Sequence, residues 1–242
     1  DTLRLRIFPA ETEGRFDVEY DGPTEKESRI WTDFYDVYGY YGQYNIRPDK
    51  DPDMTYEDSM SKIGLKDLAF RTKYGDDIDE YYLHYADLMC GLFKAVLLEE
   101  RAGQEGVDAF DYPEYQELLK DVDPNDPFTI NCGLLNRWAR FQMRDLGEDD
   151  YSRCMAFMDR MDNEVTYTNS RNMMADLFAS LIFRNPADLD EEHCHSFLDR
   201  LGAFAPDAEE MIESTRKAWD AYKAMGMGAA MPDAVLTTMK GD

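Results

Sequence analysis

The residues best suited to metal or acid–base chemistry stand in one short stretch, DEEHCHSF, at positions 190–197. It contains His193 and His195, on either side of Cys194. Imidazole and thiolate are common zinc ligands. Consecutive residues of an α-helix point about 100° apart, however, so the three side chains would diverge if this stretch is helical. The sequence therefore predicts no metal site here.

Two acidic stretches, DKDPDMTYEDSM and DVDPNDPFTINC, are similar in composition to calcium-binding loops. Such a loop needs glycine at its sixth position, where the backbone turns sharply, and glutamate at its twelfth. Neither stretch has these residues. The motifs of serine hydrolases, nucleotide-binding loops, dinucleotide-binding folds and zinc proteases are also absent from the sequence. We therefore expect a protein that is not an enzyme and that has no cofactor.

A repeat organises the second half of the chain. CMAFMDRM at 154–161 returns as CHSFLDRL at 194–201, and an ungapped shift of residues 132–161 by forty positions gives seven identities. The identical pairs are Ala139 and Ala179, Arg144 and Arg184, Asp150 and Asp190, Cys154 and Cys194, Phe157 and Phe197, Asp159 and Asp199, and Arg160 and Arg200. Apolar residues recur between them at helical spacing. The repeat predicts two helix-turn-helix units, and we interpret its Asp–Arg pairs as inter-helix salt bridges or cap contacts and not as catalytic residues.

The remaining patterns predict a mainly α fold of tandem helix-turn-helix repeats with a short N-terminal β-hairpin and an extended arm. Residues 3–7 and 16–20 alternate apolar and polar side chains, which is typical of strands. Helical patterns begin after Thr55, which has the spacing of a capping box with Asp58. The predicted domains are a hairpin and aromatic arm at 1–54, a helical repeat domain at 55–225, and an extended or mobile tail at 226–242.

The first repeat unit, NCGLLNRWARFQMRDLGEDDYSRCMAFMDRM, resembles the core of the succinate dehydrogenase assembly factor family. The likeness rests on Asn131, Cys132, Leu134, Leu135, Ala139, Phe157, Asp159, Arg160 and Met161. That family has a small helical fold that promotes covalent flavin attachment in mitochondria and bacteria. Its functional Arg-Gly-x-x-Glu run is replaced here by Asp126, Pro127 and Ile130, and in the second unit by Thr166, Tyr167 and Ser170. The resemblance therefore implies a shared architecture used for binding, without flavin attachment.

Aromatic residues are concentrated at 30–46, among glycines and shortly before prolines. They are Trp31, Phe34, Tyr35, Tyr38, Tyr40, Tyr41 and Tyr44. We interpret the stretch as an irregular arm. Because tyrosine and tryptophan provide large contact areas with a polar tip at protein interfaces, we predict that these seven residues bind a partner. The alternative is that the rings pack against the protein's own domain.

The composition limits the partners and the compartment. Asp and Glu total 51 against 26 Lys and Arg, which gives a formal net charge of −25 that repels nucleic-acid backbones and anionic membranes. No apolar run reaches the roughly 18 residues that a membrane-spanning helix needs, so we expect at most peripheral membrane contact. The four cysteines form no CxxC pair. They are typical of buried thiols in a reducing intracellular compartment.

These observations favour a non-catalytic accessory or scaffold subunit that binds the protein subunits of a larger assembly. The family resemblance, and a first residue other than Met that indicates processing, point to a mitochondrial respiratory or ATP synthase complex. Two alternatives stay open. One is an acidic nucleic-acid mimic that inhibits a DNA- or RNA-binding protein, which would need a regular stripe of carboxylates. The other is a diverged flavoprotein maturation factor, which would need affinity for a flavoprotein.

Overall fold

The computed structural model describes residues 4–9, 16–21, 25–39, 54–75, 78–184 and 189–225. These residues are mainly helical, which confirms the predicted mainly α class. The chain divides into two compact units, Asp1–Asp121 and Val122–Asp242. Every helix in the described parts of the chain is too short or too polar to cross a membrane. The predicted tail at 226–242 lies outside the described residues.

The first unit begins with two strands, β1 (Arg4–Pro9) and β2 (Phe16–Asp21). They pair in antiparallel register, with Arg4 opposite Asp21 and Pro9 opposite Phe16. The elements that follow are α1 (Glu25–Tyr38), α2 (Tyr56–Tyr74), α3 (Glu80–Glu105), a 3-10 helix (Ala109–Asp111) and α4 (Pro113–Lys120). Helix α3 ends at Gly106, whose φ of 69° is a left-handed conformation that glycine adopts without strain.

In its described part, the second unit consists of six α-helices and one short 3-10 helix. They are α5 (Pro127–Cys132), α6 (Leu134–Met143), α7 (Asp150–Met161), α8 (Thr168–Ile182), α9 (Glu191–Phe204), a 3-10 helix (Pro206–Ala208) and α10 (Glu209–Met225). Gly133 separates α5 from α6, because its φ of 77° turns the backbone out of the right-handed helix.

Side-chain caps determine where several helices begin. The amides of Thr55 and Asp58 each donate to the other residue's side chain, over 3.0 and 3.1 Å, so the predicted capping box forms at the start of α2. Asp149 and Asp190 accept from amides in the first turns of α7 and α9 at 2.7 and 2.8 Å. Each cap satisfies a backbone donor that the helix leaves unpaired and stabilises it by about 1 kcal/mol.

The predicted irregular arm is wrong for residues 30–38, which lie in α1. The helix contains Trp31, Phe34, Tyr35 and Tyr38. Tyr40, Tyr41 and Tyr44 lie outside the described residues. Ile30, Phe34 and Tyr38 follow one another at intervals of four residues and are buried on one face of α1. This helical spacing favours a helix because the face can pack on other elements. The aromatic and glycine content of the stretch does not reveal this packing.

Helix α1 packs against α2 and α3 in a common core. One buried cluster joins α1 to α2 and α3 and consists of Ile30, Phe34, Tyr38, Phe70, Ile78, Tyr82 and Ala86. Within it, the ring of Phe70 lies 5.8 Å from that of Phe34 and 5.4 Å from that of Tyr38. Because these helices share a core, they belong to the same compact unit, Asp1–Asp121.

In the second unit, helices and burial follow the forty-residue shift. Helix α6 contacts α8, and α7 contacts α9, so equivalent helices of the two copies are neighbours. Buried pairs at equivalent positions are Leu134 and Met174, Trp138 and Phe178, Ala139 and Ala179, Cys154 and Cys194, Phe157 and Phe197, Met158 and Leu198, and Met161 and Leu201. Arg200 of α9 donates to Asp159 of α7 over 2.8 Å, so a repeated arginine of one copy and a repeated aspartate of the other form an inter-helix salt bridge.

The cysteines are free thiols. Cys132, Cys154 and Cys194 are buried, as predicted, whereas Cys90 in α3 is partly buried. Burial raises the pKa of Cys154 to about 12 and that of Cys194 to about 11, because a thiolate is poorly solvated in the core. These two thiols therefore serve packing at equivalent positions of the two copies.

Candidate protein-interaction surface

The histidine–cysteine stretch in α9 points into three different environments. His193 Nδ1 lies 2.7 Å from Asp190 Oδ2, whereas Arg216 of α10 donates to Nδ1 of His195 over 3.1 Å. Cys194 is fully buried. In the part of the chain that the structure describes, no group of three or more His, Cys, Asp or Glu side chains could hold a metal ion. The side chains of this stretch therefore make contacts within the second unit.

A cleft lies beside this stretch, between the first turns of α7 and α9 and the end of α8. Asp149 and Asp190, two of its carboxylates, accept the helix amides described above. The ring of Tyr151 stands edge-on to that of His193, with centroids 4.8 Å apart. Helix capping and ring packing therefore account for the contacts of these polar side chains.

The first unit carries a group of neighbouring aromatic rings at its surface. We call Trp31 and Tyr35 of α1 together with Tyr81 of α3 the aromatic surface. Tyr35 is 66% exposed and Tyr81 is 43% exposed. Their ring centroids lie 5.7 and 6.2 Å from that of Trp31, so both exposed rings contact the same partly buried indole. Two helices therefore contribute to one continuous aromatic area.

The aromatic surface is fixed from below by the core. The indole of Trp31 meets the rings of Tyr82 and Phe34 edge-on, at centroid distances of 5.2 and 5.5 Å. Phe34 in turn stacks on Tyr85 of α3 at 5.3 Å. Edge-to-face and offset contacts of this kind are the favoured arrangements of aromatic rings. The indole that both exposed rings contact is thus held by the core of the first unit.

A chain of polar contacts also ties α1 to its neighbours. Tyr38 donates its hydroxyl proton to Asp67 Oδ1 of α2 over 2.5 Å. Arg71 donates to the same carboxylate over 2.8 Å and to Asp87 of α3 over 2.6 Å. Burial raises the pKa of Tyr38 well above that of an exposed tyrosine, and the hydrogen bond to Asp67 raises it further. This network therefore links all three helices around a neutral phenol.

A second polar contact holds α1 against α2. Lys73 and Tyr74 of α2 both donate to the carboxylate of Asp33 in α1. Partial burial acts to raise the pKa of Asp33, but these hydrogen bonds and the positive charge of Lys73 outweigh it and lower the pKa. The ionised carboxylate is therefore the favoured form, and it fixes the orientation of the helix that carries Trp31 and Tyr35.

Carboxylates stand next to the aromatic surface. Glu27 lies in α1, and Asp79 and Glu80 lie at the start of α3 next to Tyr81. Burial raises the pKa of Tyr82, beneath the surface, and the charges of Glu27 and Asp79 raise it further. Carboxylates therefore contribute negative charge close to the rings.

The predicted partner-binding residues fall into three groups. Tyr35 is exposed and Trp31 lies partly buried beside it, whereas Phe34 and Tyr38 belong to the core at 3% exposure each. Tyr40, Tyr41 and Tyr44 lie outside the described residues. Sequence reasoning missed Tyr81, because it is far from the arm along the chain and only folding brings it to Trp31. The pair Tyr81–Tyr82, near the start of a predicted helix, is the signal in the sequence that could have indicated this residue.

Comparison with protein-family models, curated proteins and solved structures found no match for this chain. The function must therefore be argued from its residues and their geometry. Exposed tyrosine and tryptophan rings are enriched in protein–protein interfaces. Tyrosine and tryptophan are also among the residues that contribute most of the binding energy in such interfaces.

Proposed function

We propose that this protein is a non-catalytic accessory or scaffold subunit that docks on a partner protein through the aromatic surface. The observation that carries the proposal is the pair of exposed rings, Tyr35 and Tyr81, held against one indole by two packed helices. Tyrosine buries a large area with few rotatable bonds, and its hydroxyl forms hydrogen bonds at the rim of an interface. The surface therefore has the composition and the rigidity of a binding hot spot.

The second unit supplies a scaffold in this proposal. Helices α6 and α7 form one copy, and α8 and α9 form the other, of a tandem helix-turn-helix repeat, while β1 and β2 form the N-terminal hairpin of the first unit. The matching burial of repeated positions supports the tandem arrangement. A mitochondrial respiratory or ATP synthase complex is the setting we propose, and the resemblance of the repeats to assembly factors supports it.

Purification from the native source at endogenous level tests the docking role. The test variant is Tyr35→Ala/Tyr81→Ala, and the matched control is Leu65→Ala/Leu68→Ala. These leucines are 63% and 60% exposed on α2, so the control also removes exposed apolar area from the first unit. We expect a protein that co-migrates in stoichiometric amount with wild type and control to be lost from the tyrosine variant. Retention of that protein by the tyrosine variant would contradict the proposal.

A further inference from the structure

We infer that the aromatic surface binds a Lys- or Arg-rich segment of the partner protein, with cationic side chains held over the rings of Tyr35 and Tyr81. This inference rests on the proposed docking role and adds the chemistry of the partner. Three features carry it: the way in which the protein holds one of its own arginines, the groups present at the aromatic surface, and the charge of the chain.

The protein holds an arginine of its own with two tyrosine rings and a carboxylate. The guanidinium of Arg101 lies over the rings of Tyr56 and Tyr112, at 5.4 and 5.3 Å from their centroids. Glu105 accepts a hydrogen bond from Arg101 Nε over 2.8 Å. The side chain of Arg101 is 41% exposed, so this combination binds a guanidinium at the protein surface and not only in the core.

The aromatic surface presents the same groups to the solvent. Tyr35 and Tyr81 are the two rings. Exposed Glu80 directly precedes Tyr81, and the charge of exposed Glu27 acts on Tyr82 beneath the surface. Cations bind over the faces of tyrosine and tryptophan within about 6 Å of the ring centroid. Because both exposed rings contact Trp31, one short segment with two cationic residues can reach both of them.

The negative charge of the protein favours a basic segment over an acidic peptide, a nucleic acid or an anionic membrane as the partner. The formal net charge of −25 steers cationic segments toward the protein and repels acidic peptides, phosphate backbones and anionic membranes. Glu27, Asp79 and Glu80 continue this negative charge up to the rings themselves. A basic segment is therefore complementary both to the rings and to their surroundings.

The probe that tests the inference is a fluorescent oligo-arginine peptide, compared with an oligo-citrulline peptide of the same length that lacks the charge. Binding is measured by fluorescence anisotropy near physiological salt, where screening over about 8 Å weakens distant charge effects. We expect only the arginine peptide to bind wild type. The Tyr35→Ala/Tyr81→Ala variant keeps the net charge and should bind about 4- to 25-fold more weakly, since each ring contributes about 2- to 5-fold.

A pair of charge variants separates the local site from general attraction. Glu27→Gln/Glu80→Gln removes two charges beside the rings, and Glu114→Gln/Glu117→Gln removes two exposed charges of α4, in the same unit. The first pair should weaken binding of the arginine peptide by about 3-fold or more, and the second by less than about 2-fold. Equal weakening by the two pairs would overturn the inference, because it would show unspecific attraction.

The outcomes distinguish the inference from the proposed function. If the tyrosine variant loses its native partner while its affinity for oligo-arginine is unchanged, the docking role stands and the basic partner is wrong. If the tyrosine variant retains the native partner as well, the docking role itself is wrong. Circular dichroism of each variant confirms that a loss of binding reflects the surface and not unfolding.

Discussion

Two adjacent residues of α1 separate the structural role of its aromatic face from the binding role. Phe34 is 3% exposed, whereas Tyr35 is 66% exposed. The Phe34 ring contacts five other rings, at centroid distances of 4.6 to 6.2 Å. Phe34→Ala should therefore leave a cavity in the first unit and lower its free energy of unfolding by about 3 to 5 kcal/mol.

Tyr35→Ala should change the same free energy by no more than about 0.5 kcal/mol. The ring loses little buried area, and alanine has the higher helix propensity, which offsets part of the lost contact with Trp31. Urea denaturation followed by the fluorescence of Trp31 measures both variants, in a background in which Trp138 and Trp219 of the second unit are replaced by Phe. Equal destabilisation by the two substitutions would refute the division of α1 into a core face and a binding face.

Three further predictions concern stability and reactivity. Arg171→Lys should destabilise the second unit by about 2 kcal/mol, because lysine cannot reproduce the guanidinium's hydrogen bonds to Asp162 and to nearby backbone carbonyls. Urea denaturation measures this loss, and a change near zero would contradict the prediction. Native Cys154 and Cys194 should resist a thiol reagent that labels the unfolded chain, and rapid labelling of the native protein would contradict their burial. Because their pKa values are raised to about 12 and 11, their contribution to stability should be full below pH 8 to 9 and lost as pH rises through 11 to 12. Gly106→Ala should lower the melting temperature and cost about 1 kcal/mol, because φ at this position is 69°.

Local signals in the sequence predicted much of the secondary structure. The capping box at Thr55 and Asp58 forms, because its two hydrogen bonds need only residues three positions apart. The burial of Cys154 and Cys194 also followed from their place in the repeat, since apolar spacing specifies a buried face wherever the helix forms.

Contacts between distant segments were beyond the sequence reasoning. The bond from Tyr38 to Asp67 and the contact of Trp31 with Tyr81 join residues on different helices, and no local period encodes such meetings. The same limit explains why the predicted irregular arm is wrong for residues 30–38. A run of aromatic residues has the composition of an interface, but its four-residue interval becomes decisive only when α2 and α3 offer a core to pack against.

Photocrosslinking from Tyr35, the most exposed residue of the aromatic surface, tests the docking role most directly. The photoreactive residue p-benzoylphenylalanine is incorporated at Tyr35 of the full chain at endogenous level, and at Leu65 as a control, followed by mass spectrometry of the crosslinked peptides. The docking role predicts that one partner protein crosslinks from Tyr35 and not from Leu65. The inferred basic partner predicts in addition that the crosslinked segment is rich in Lys or Arg. Crosslinking from Leu65 with none from Tyr35 would contradict the docking role.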